Sequence, residues 1–288
     1  MIPEIVTIGP FTIYSYGLML GIAFITASMI MSKEFERKSL TANFATEITL
    51  LAMIFGVVGS KLFHLFENWA EFLNDPIGMA FSAGGLTFYG GLILAILAIY
   101  IYSKKKNIPF LYVADAASPS LAIAYGIGRI GCHLAGDGDY GIPTTLPWGT
   151  NYENGIVKPS RMFHGSEYAA GFPDGILPDN TPLHPTPIYE FLVALLIFSI
   201  LWKLRKSDWV HGRLFMIYLI LSGTARLLVE FIRLNPRILF GLSEAQLISC
   251  GLIIIGIAAS VYYWKHPELK KFVPIPIKNQ NDKKKKSP

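Results

Sequence analysis

The stretch FTIYSYGLMLGIAFITASMIM, Phe11 to Met31, runs for 21 residues without a charge. As a helix it rises 1.5 Å per residue and reaches about 30 Å, the thickness of a bilayer's hydrocarbon core. No Lys or Arg precedes it. It therefore lacks the basic head of a cleavable export signal, and it outruns the ~7–15 apolar residues such a signal carries. It reads as a membrane span. Comparable runs follow at Ala45–Phe66, Ser82–Tyr102, Leu111–Ile130, Pro187–Trp202, Leu214–Ile232 and Leu247–Trp264. The fold class expected is an all-α integral membrane protein with seven transmembrane helices. Only 16% of the 288 residues are charged, where soluble domains carry roughly a quarter.

The basic residues act as topology signals. Lys33, Arg37 and Lys38 fall between the first two spans, Lys104 to Lys106 between the third and fourth, and Lys203, Arg205, Lys206 and Arg213 between the fifth and sixth. With the C-terminal tail these segments hold 18 of the 25 Lys and Arg residues, against Lys158, Arg161, Arg233 and Arg237 on the other face. The positive-inside rule then sets the N-terminus outside and the C-terminus in the cytoplasm, which only an odd number of spans allows. The net charge of +5 is accounted for this way and calls for no nucleic acid. Residues 1–276 form one seven-span domain, with a long external loop at 131–185 and a basic cytoplasmic tail at 277–288 suited to anionic lipid headgroups. Two cysteines, Cys132 and Cys250, supply neither a disulfide framework nor a zinc spacing.

The external loop is rich in Gly, Pro, Asp and Asn, as in DGDYGIPTTLPWGTNYENG. Such a sequence forms turns and irregular structure rather than an independent domain. Tyr140, Trp148 and Tyr152 suit the membrane–water interface. Between the second and third spans, FENWAEFLNDPIGMAFSAGG places Phe and Trp at a spacing fit for a short interfacial helix.

Three cations sit within or at the edge of spans: Lys61, Arg129 and Arg226. Each costs at least ~2.5–3.5 kcal/mol at mid-bilayer, so each faces protein or a wet cavity. Lys61 has a carboxylate such as Asp115 as a structural partner. Arg226, Glu230 and Arg233 share one helical face at spacings of four, three and seven. Glu230 neutralises one arginine, which leaves a net positive stripe. With Arg129 at the outer end of the fourth span, that surplus suits an anionic headgroup, above all a phosphate, which guanidinium grips bidentately. The alternative is a buried network of Arg129 with Asp137 or Asp139 that locks the loop.

Several segments, in order, resemble the prolipoprotein diacylglyceryl transferase family. They are YSYGLMLGIAF near the N-terminus, YGGL at Tyr89–Leu92, GRIGCHLAGDGDYG at Gly128–Gly141, HPTPIYE at His184–Glu190, and SGTARLLVEFIR at Ser222–Arg233. The resemblance spans essentially the whole chain. It implies a seven-helix membrane enzyme of the bacterial cytoplasmic membrane. Such an enzyme moves the diacylglyceryl group of phosphatidylglycerol onto the lipobox cysteine of a prolipoprotein signal peptide. The product is a thioether, glycerol phosphate is released, and no cofactor or metal is implied. Arg129 and Arg226 match the family's two critical arginines and would hold the phosphate as it leaves. Tyr16, Gly141, Glu230 and Arg233 match further functional positions, and His184, Tyr189 and Glu190 match the block that opens the fifth span.

The chain departs from the family pattern at defined places. Tyr89 stands where a histidine, one candidate base, is usual, Cys132 where asparagine is usual, and Ser222 where tyrosine is usual. GDGDYG is one residue longer than the family's segment, so Asp137 and Asp139 compete for its acidic position. His133 is a substitute base by virtue of its near-neutral titration, or an interfacial histidine without a task. Tyr89, with a pKa near ~10, is a hydrogen-bond donor rather than a base. Cys132 is a small packing residue, or a thiol activated by Arg129. A relative that binds the same lipid with another acceptor, and a lipid-binding protein without chemistry, are the alternative functions.

Overall fold

The computed structural model describes residues 1–9, 11–82 and 87–266. In chain order the elements are β1 (Glu4–Ile8), β2 (Phe11–Tyr14), α1 (Ser15–Arg37), α2 (Ala42–Glu67), α3 (Trp69–Asn74), α4 (Pro76–Phe81) and α5 (Phe88–Lys105). They continue with α6 (Phe110–Ala135), α7 (Pro159–Met162), α8 (Thr186–Leu204), α9 (Arg213–Val229), β3 (Arg237–Leu239), β4 (Leu242–Ser243) and α10 (Glu244–Lys265). Seven helices among the described residues are long and apolar enough to cross a membrane. They coincide with the seven runs read from the sequence. Large apolar side chains lie exposed along them, among them Ile25, Met29, Ile54, Leu196, Ile254 and Ile257. In water such a surface would aggregate; against acyl chains it is the stable arrangement. This is a multi-pass membrane protein.

The boundaries differ from expectation where local chemistry intervenes. The first span starts at Ser15, because Phe11–Tyr14 pairs antiparallel with Glu4–Ile8 in a hairpin. A second hairpin, β3 with β4, precedes α10. The third span, expected from Ser82, is helical from Phe88; its residues 83–86 lie outside the described residues, as does the basic tail at 277–288. The fourth helix runs on to Ala135, so Cys132 and His133 stand on the helix and the external loop opens at Gly136. Two short helices, α3 and α4, occupy the place of the one interfacial helix expected; Asp75 caps the second by accepting from Gly78 N at 2.9 Å.

The chain forms two compact units, residues 28–116 and residues 1–27 with 117–266; α1 and α6 contribute to both. In the first unit α2 packs closely on α5 through glycines. A Cβ placed on Gly91 would lie 2.5 Å from the Gly56 carbonyl oxygen, and one on Gly90 would lie 2.5 Å from that of Gly59. Small residues that let backbones touch are the usual cement between helices in lipid, where burial against a neighbour gains nothing over burial in acyl chains. Lys61 of α2 donates to Ser82 Oγ at 2.8 Å and Ser82 O at 3.0 Å.

In the second unit α9 packs on α10 in the same manner. A Cβ on Gly256 would lie 2.9 Å from the Met216 carbonyl oxygen, and one on Gly223 would lie 3.1 Å from that of Ser249. The inner surfaces of α6, α8 and α9 meet around Ala122, Ile197, Leu201 and Leu214. The external loop has a core of its own built from Tyr140, Tyr152, Phe163, Ala169, Leu177 and Leu183, with little regular structure around it. Tyr140 and Tyr152 are thus buried in the loop (ring centroids 4.5 Å apart) rather than lying at the interface, whereas Trp148 is exposed.

Replacing Gly91 by leucine should force α2 and α5 apart. Overpacking of this kind costs typically ~1–3 kcal/mol. Thermal unfolding of the detergent-solubilised protein should show the loss, and an unchanged melting temperature would show that the backbones do not touch there.

Candidate functional site

The site forms where α6, α8 and the end of α9 meet the loop. Arg129 lies near the C-terminal end of α6, Glu190 in the first turns of α8, and Arg226 in the last turn of α9. Glu230 opens a single 3₁₀ turn, Glu230–Ile232, and Arg233 follows it in extended conformation (φ −105°, ψ 149°). The helix therefore ends before Arg233, which is not the third step of an α-helical stripe. It reaches the cluster because the tighter turn swings it inward.

The three arginines meet three carboxylates. Arg129 bonds Asp139 and lies 3.4 Å from Glu190 Oε2. Arg226 donates to Glu190 Oε1 at 3.1 Å and pairs with Glu230 Oε2 at 3.2 Å. Arg233 bonds Asp139 and lies 3.8 Å from Glu190 Oε2. The surplus positive stripe expected from the sequence is thus balanced, through Glu190 and Asp139, residues distant in the chain. Glu190 stands between the two arginines that the sequence singled out. Glu230 is fully buried and also accepts from Asn235 Nδ2 at 2.6 Å and Ser243 Oγ at 2.7 Å, which ties the β3–β4 hairpin to Arg226's partner. Arg129 and Arg226 keep 17% and 26% of their side chains exposed.

Two backbone features deliver Asp139. Gly141 N donates to His184 O at 2.8 Å, and Ile142 N to Ile232 O at 2.9 Å, so the chain threads between the start of α8 and the end of α9. Only glycine fits there: a Cβ on Gly141 would lie 2.5 Å from the Ile232 carbonyl oxygen and 2.9 Å from His184 Cβ. The buried Thr186 hydroxyl donates to Asp139 O.

The two aspartates have opposite tasks. Burial pushes the Asp139 carboxyl up, but Arg129 and Arg233 outweigh it and hold it at about 2. Burial pushes the Asp137 carboxyl up as well, and the neighbouring Asp139 pushes it further. Asp137 accepts from Asp139 N at 3.3 Å. Of the two candidates for the acidic position, Asp139 holds the arginines. Cys132 is buried, 3.9 Å from Arg129 Nη1, and with Asp137 and Asp139 it offers donor atoms all within 4.8 Å of one another. As a metal set this is poor, since two guanidiniums already hold one of its carboxylates.

The remaining predicted residues divide. Tyr16 stands at the start of α1 against Gly131, where a Cβ would lie 3.4 Å from Tyr16 Cα. Tyr189 Oη accepts from Trp148 Nε1 at 2.8 Å and lies 3.2 Å from His184 Nδ1; burial lowers the pKa of His184. His133 turns toward the loop core, with Nδ1 3.0 Å from the Tyr152 hydroxyl. Tyr89 opens α5 beside Phe88, in the other unit. Sequence reasoning missed Tyr125 and Thr186. The Tyr125 hydroxyl donates to Glu190 Oε1, and its ring faces the Arg129 guanidinium, 4.8 Å from the centroid. Its position four residues before Arg129 was the available signal.

Fold and site define a multi-pass membrane protein with a guanidinium–carboxylate cluster at the ends of its helices. A family model, prolipoprotein diacylglyceryl transferase, matches residues 3–262, and the chain belongs to that family and is an enzyme of the transferase class. A phosphatidylglycerol–prolipoprotein diacylglyceryl transferase of Clostridium tetani is 35% identical over 247 residues, covering 85% of this chain and 91% of its own. Proteins of that name from Clostridioides difficile (31% over 251 residues, 87% and 90%) and Bacillus cytotoxicus (30% over 261 residues, 87% and 87%) are similar to it as well.

The aspartates give a test by pH. Asp139 titrates below the ordinary value near ~3.9, so the stability it contributes is present above that value and is lost as pH falls through about 2. Asp137 is raised, so its contribution is favourable only in acid and is lost as pH rises. Asp137→Asn should therefore melt above wild type at neutral pH, with the difference vanishing in acid. Breaking a buried ion pair costs ~3–5 kcal/mol. Asp139 keeps 26% of its side chain exposed, so Asp139→Asn should fall at the lower end of that range. An Asp139→Asn protein as stable as wild type would sink the network.

Proposed function

We propose that this protein transfers the diacylglyceryl group of phosphatidylglycerol to the lipobox cysteine thiol of a bacterial prolipoprotein. In the reaction a C–S bond forms at the terminal glyceryl carbon and the C–O bond to phosphate breaks. The bonding electron pair leaves with glycerol phosphate, and the thiol proton passes to a base. The observation that carries this reading is the pairing of Arg129 and Arg226 across Glu190, both partly exposed, at the ends of two spans. As the C–O bond breaks, the phosphate gains negative charge, so guanidiniums aimed at its oxygens hold the transition state more strongly than the ground state. Arg233 and the carboxylates Asp139 and Glu230 keep the two arginines aimed.

Around that clamp, Tyr16, Cys132, Asp137, Gly141, His184 and Tyr189 bound the space for the lipid headgroup and the peptide. His133 accepts the thiol proton. The N-terminus lies outside and the C-terminus in the cytoplasm, in the bacterial inner membrane. Residues 1–276 form the catalytic domain and 277–288 a tail attracted to anionic lipid. No cofactor takes part in this reading.

Expression in a bacterium depleted of its own transferase tests it. Prolipoprotein should gain the mass of a diacylglyceryl group. Removal of one donor that stabilises such an anion costs about a hundredfold to a thousandfold in rate, so Arg129→Ala and Arg226→Ala should each lose at least about a hundredfold. Unmodified prolipoprotein in cells that carry the correctly inserted chain would defeat the reading, and full activity in either arginine variant would defeat the clamp.

A further inference from the structure

We infer that Glu190 occupies the phosphate's place on the two arginines in the resting site, and that Tyr125 is the positioning residue that lets it yield. The inference rests on the reading of the site as a phosphatidylglycerol site. Glu190 Oε1 accepts from Arg226 Nη1 at 3.1 Å and from the Tyr125 hydroxyl. Oε2 lies 3.4 Å from Arg129 Nε and 3.8 Å from Arg233 Nη1, yet makes no hydrogen bond among the described residues. One carboxylate thus spans both arginines and is held unevenly, firmly by one oxygen and only by charge at the other.

To a guanidinium, a carboxylate and a phosphodiester present the same thing, a pair of anionic oxygens. A phosphate that reaches both arginines must take donors from Glu190. The Glu190 side chain is 4% exposed, so a carboxylate displaced without a replacement donor would be a bare buried charge. Tyr125 removes that obstacle. Its hydroxyl stays on Oε1 whichever anion the arginines hold. Its ring keeps a face toward the Arg129 guanidinium at 4.8 Å, so the cation has a partner throughout the exchange. The ring reaches Arg129 because residues four apart on α6 stand one above the other, and the hydroxyl crosses to Glu190 of α8.

Direct lipid binding tests this apart from transfer. The full chain is purified in detergent, and its affinity for phosphatidylglycerol is compared with that for phosphatidylcholine by native mass spectrometry. Tyr125→Phe keeps the ring and loses the hydroxyl. It should weaken phosphatidylglycerol binding roughly tenfold, the scale of one such hydrogen bond. Tyr125→Leu, which also frees Arg129, should weaken it further. Glu190→Gln should bind at least as tightly as wild type, and in that background Tyr125→Phe should have no effect, as the coupling of a double-mutant cycle requires. A merely structural tyrosine would show the same loss in both backgrounds, and that result would overturn the inference, as would wild-type affinity in Tyr125→Phe or a tenfold loss in Glu190→Gln. Should Tyr125→Phe fail to accumulate, Tyr125→His, which keeps a ring and an N–H donor, decides: affinity near wild type supports the inference, and affinity as poor as in Tyr125→Leu overturns it. A wild-type chain that binds phosphatidylglycerol without transferring from it would break the functional reading alone. Transfer with unchanged Tyr125→Phe affinity would break this inference alone.

Discussion

A guanidinium carried into hydrocarbon must find an anion, and in this chain three of them find three carboxylates. Arg129, Arg226 and Arg233 come from α6, α9 and the segment after α9, while Asp139, Glu190 and Glu230 come from the loop, α8 and the 3₁₀ turn. All but the local Arg226–Glu230 pair join segments that side-chain packing alone would leave free to slide, because lipid is as apolar as leucine. The pairs fix where α8 meets α9 and where the loop re-enters. Gly141, the Thr186 hydroxyl and the Asn235 and Ser243 contacts to Glu230 all serve that junction.

The loop's small core has the same purpose. Asp139 is useful to two arginines only if its backbone is held, and its neighbour Tyr140 is buried under Tyr152 and Phe163, with its hydroxyl donating to Val157 O at 2.8 Å. His133 joins this arrangement through Tyr152. The end of α6 is therefore tied to the loop on one side and to Glu190 on the other, and Arg129 lies between the two anchors.

The fold was legible because hydrocarbon thickness imposes a length on every span, and uncharged runs of that length are hard to mistake. The hairpin that trims the first span was not, since Phe11–Tyr14 is as apolar as the helix it precedes and its pairing with Glu4–Ile8 leaves no period of its own. At the site, Arg129, Arg226, Glu230 and Arg233 announced themselves as charges in apolar surroundings. Their neutrality showed only as the alternative network of Arg129 with Asp137 or Asp139. The partners Asp139 and Glu190 lie 94 and 36 residues from Arg233 and Arg226, and helical spacing sees only neighbours three and four away. Tyr125 was within that reach, but a tyrosine in an apolar run carries no mark of the hydrogen bond it makes. Tyr140 and Tyr152 were misplaced at the interface for the opposite reason, because aromatic rings in a glycine-rich loop suit a headgroup layer and a small core equally well.

Balanced charge in the resting site has a physical rationale that a surplus lacks. An open site with two unpaired guanidiniums at the ends of membrane helices would bear the desolvation of both cations whenever no lipid was bound. A carboxylate that bridges them removes that cost, and it leaves the arginines aimed where an anion must come. The bridge must nevertheless be weaker than the ligand it keeps the place for. On the proposed reading Glu190 meets that condition: one oxygen has no hydrogen bond among the described residues, and the other is shared with a tyrosine that needs no charge to hold it. In the proposed site two arginines keep the cluster ready for an anion, and the carboxylate between them makes an empty site tolerable in a membrane.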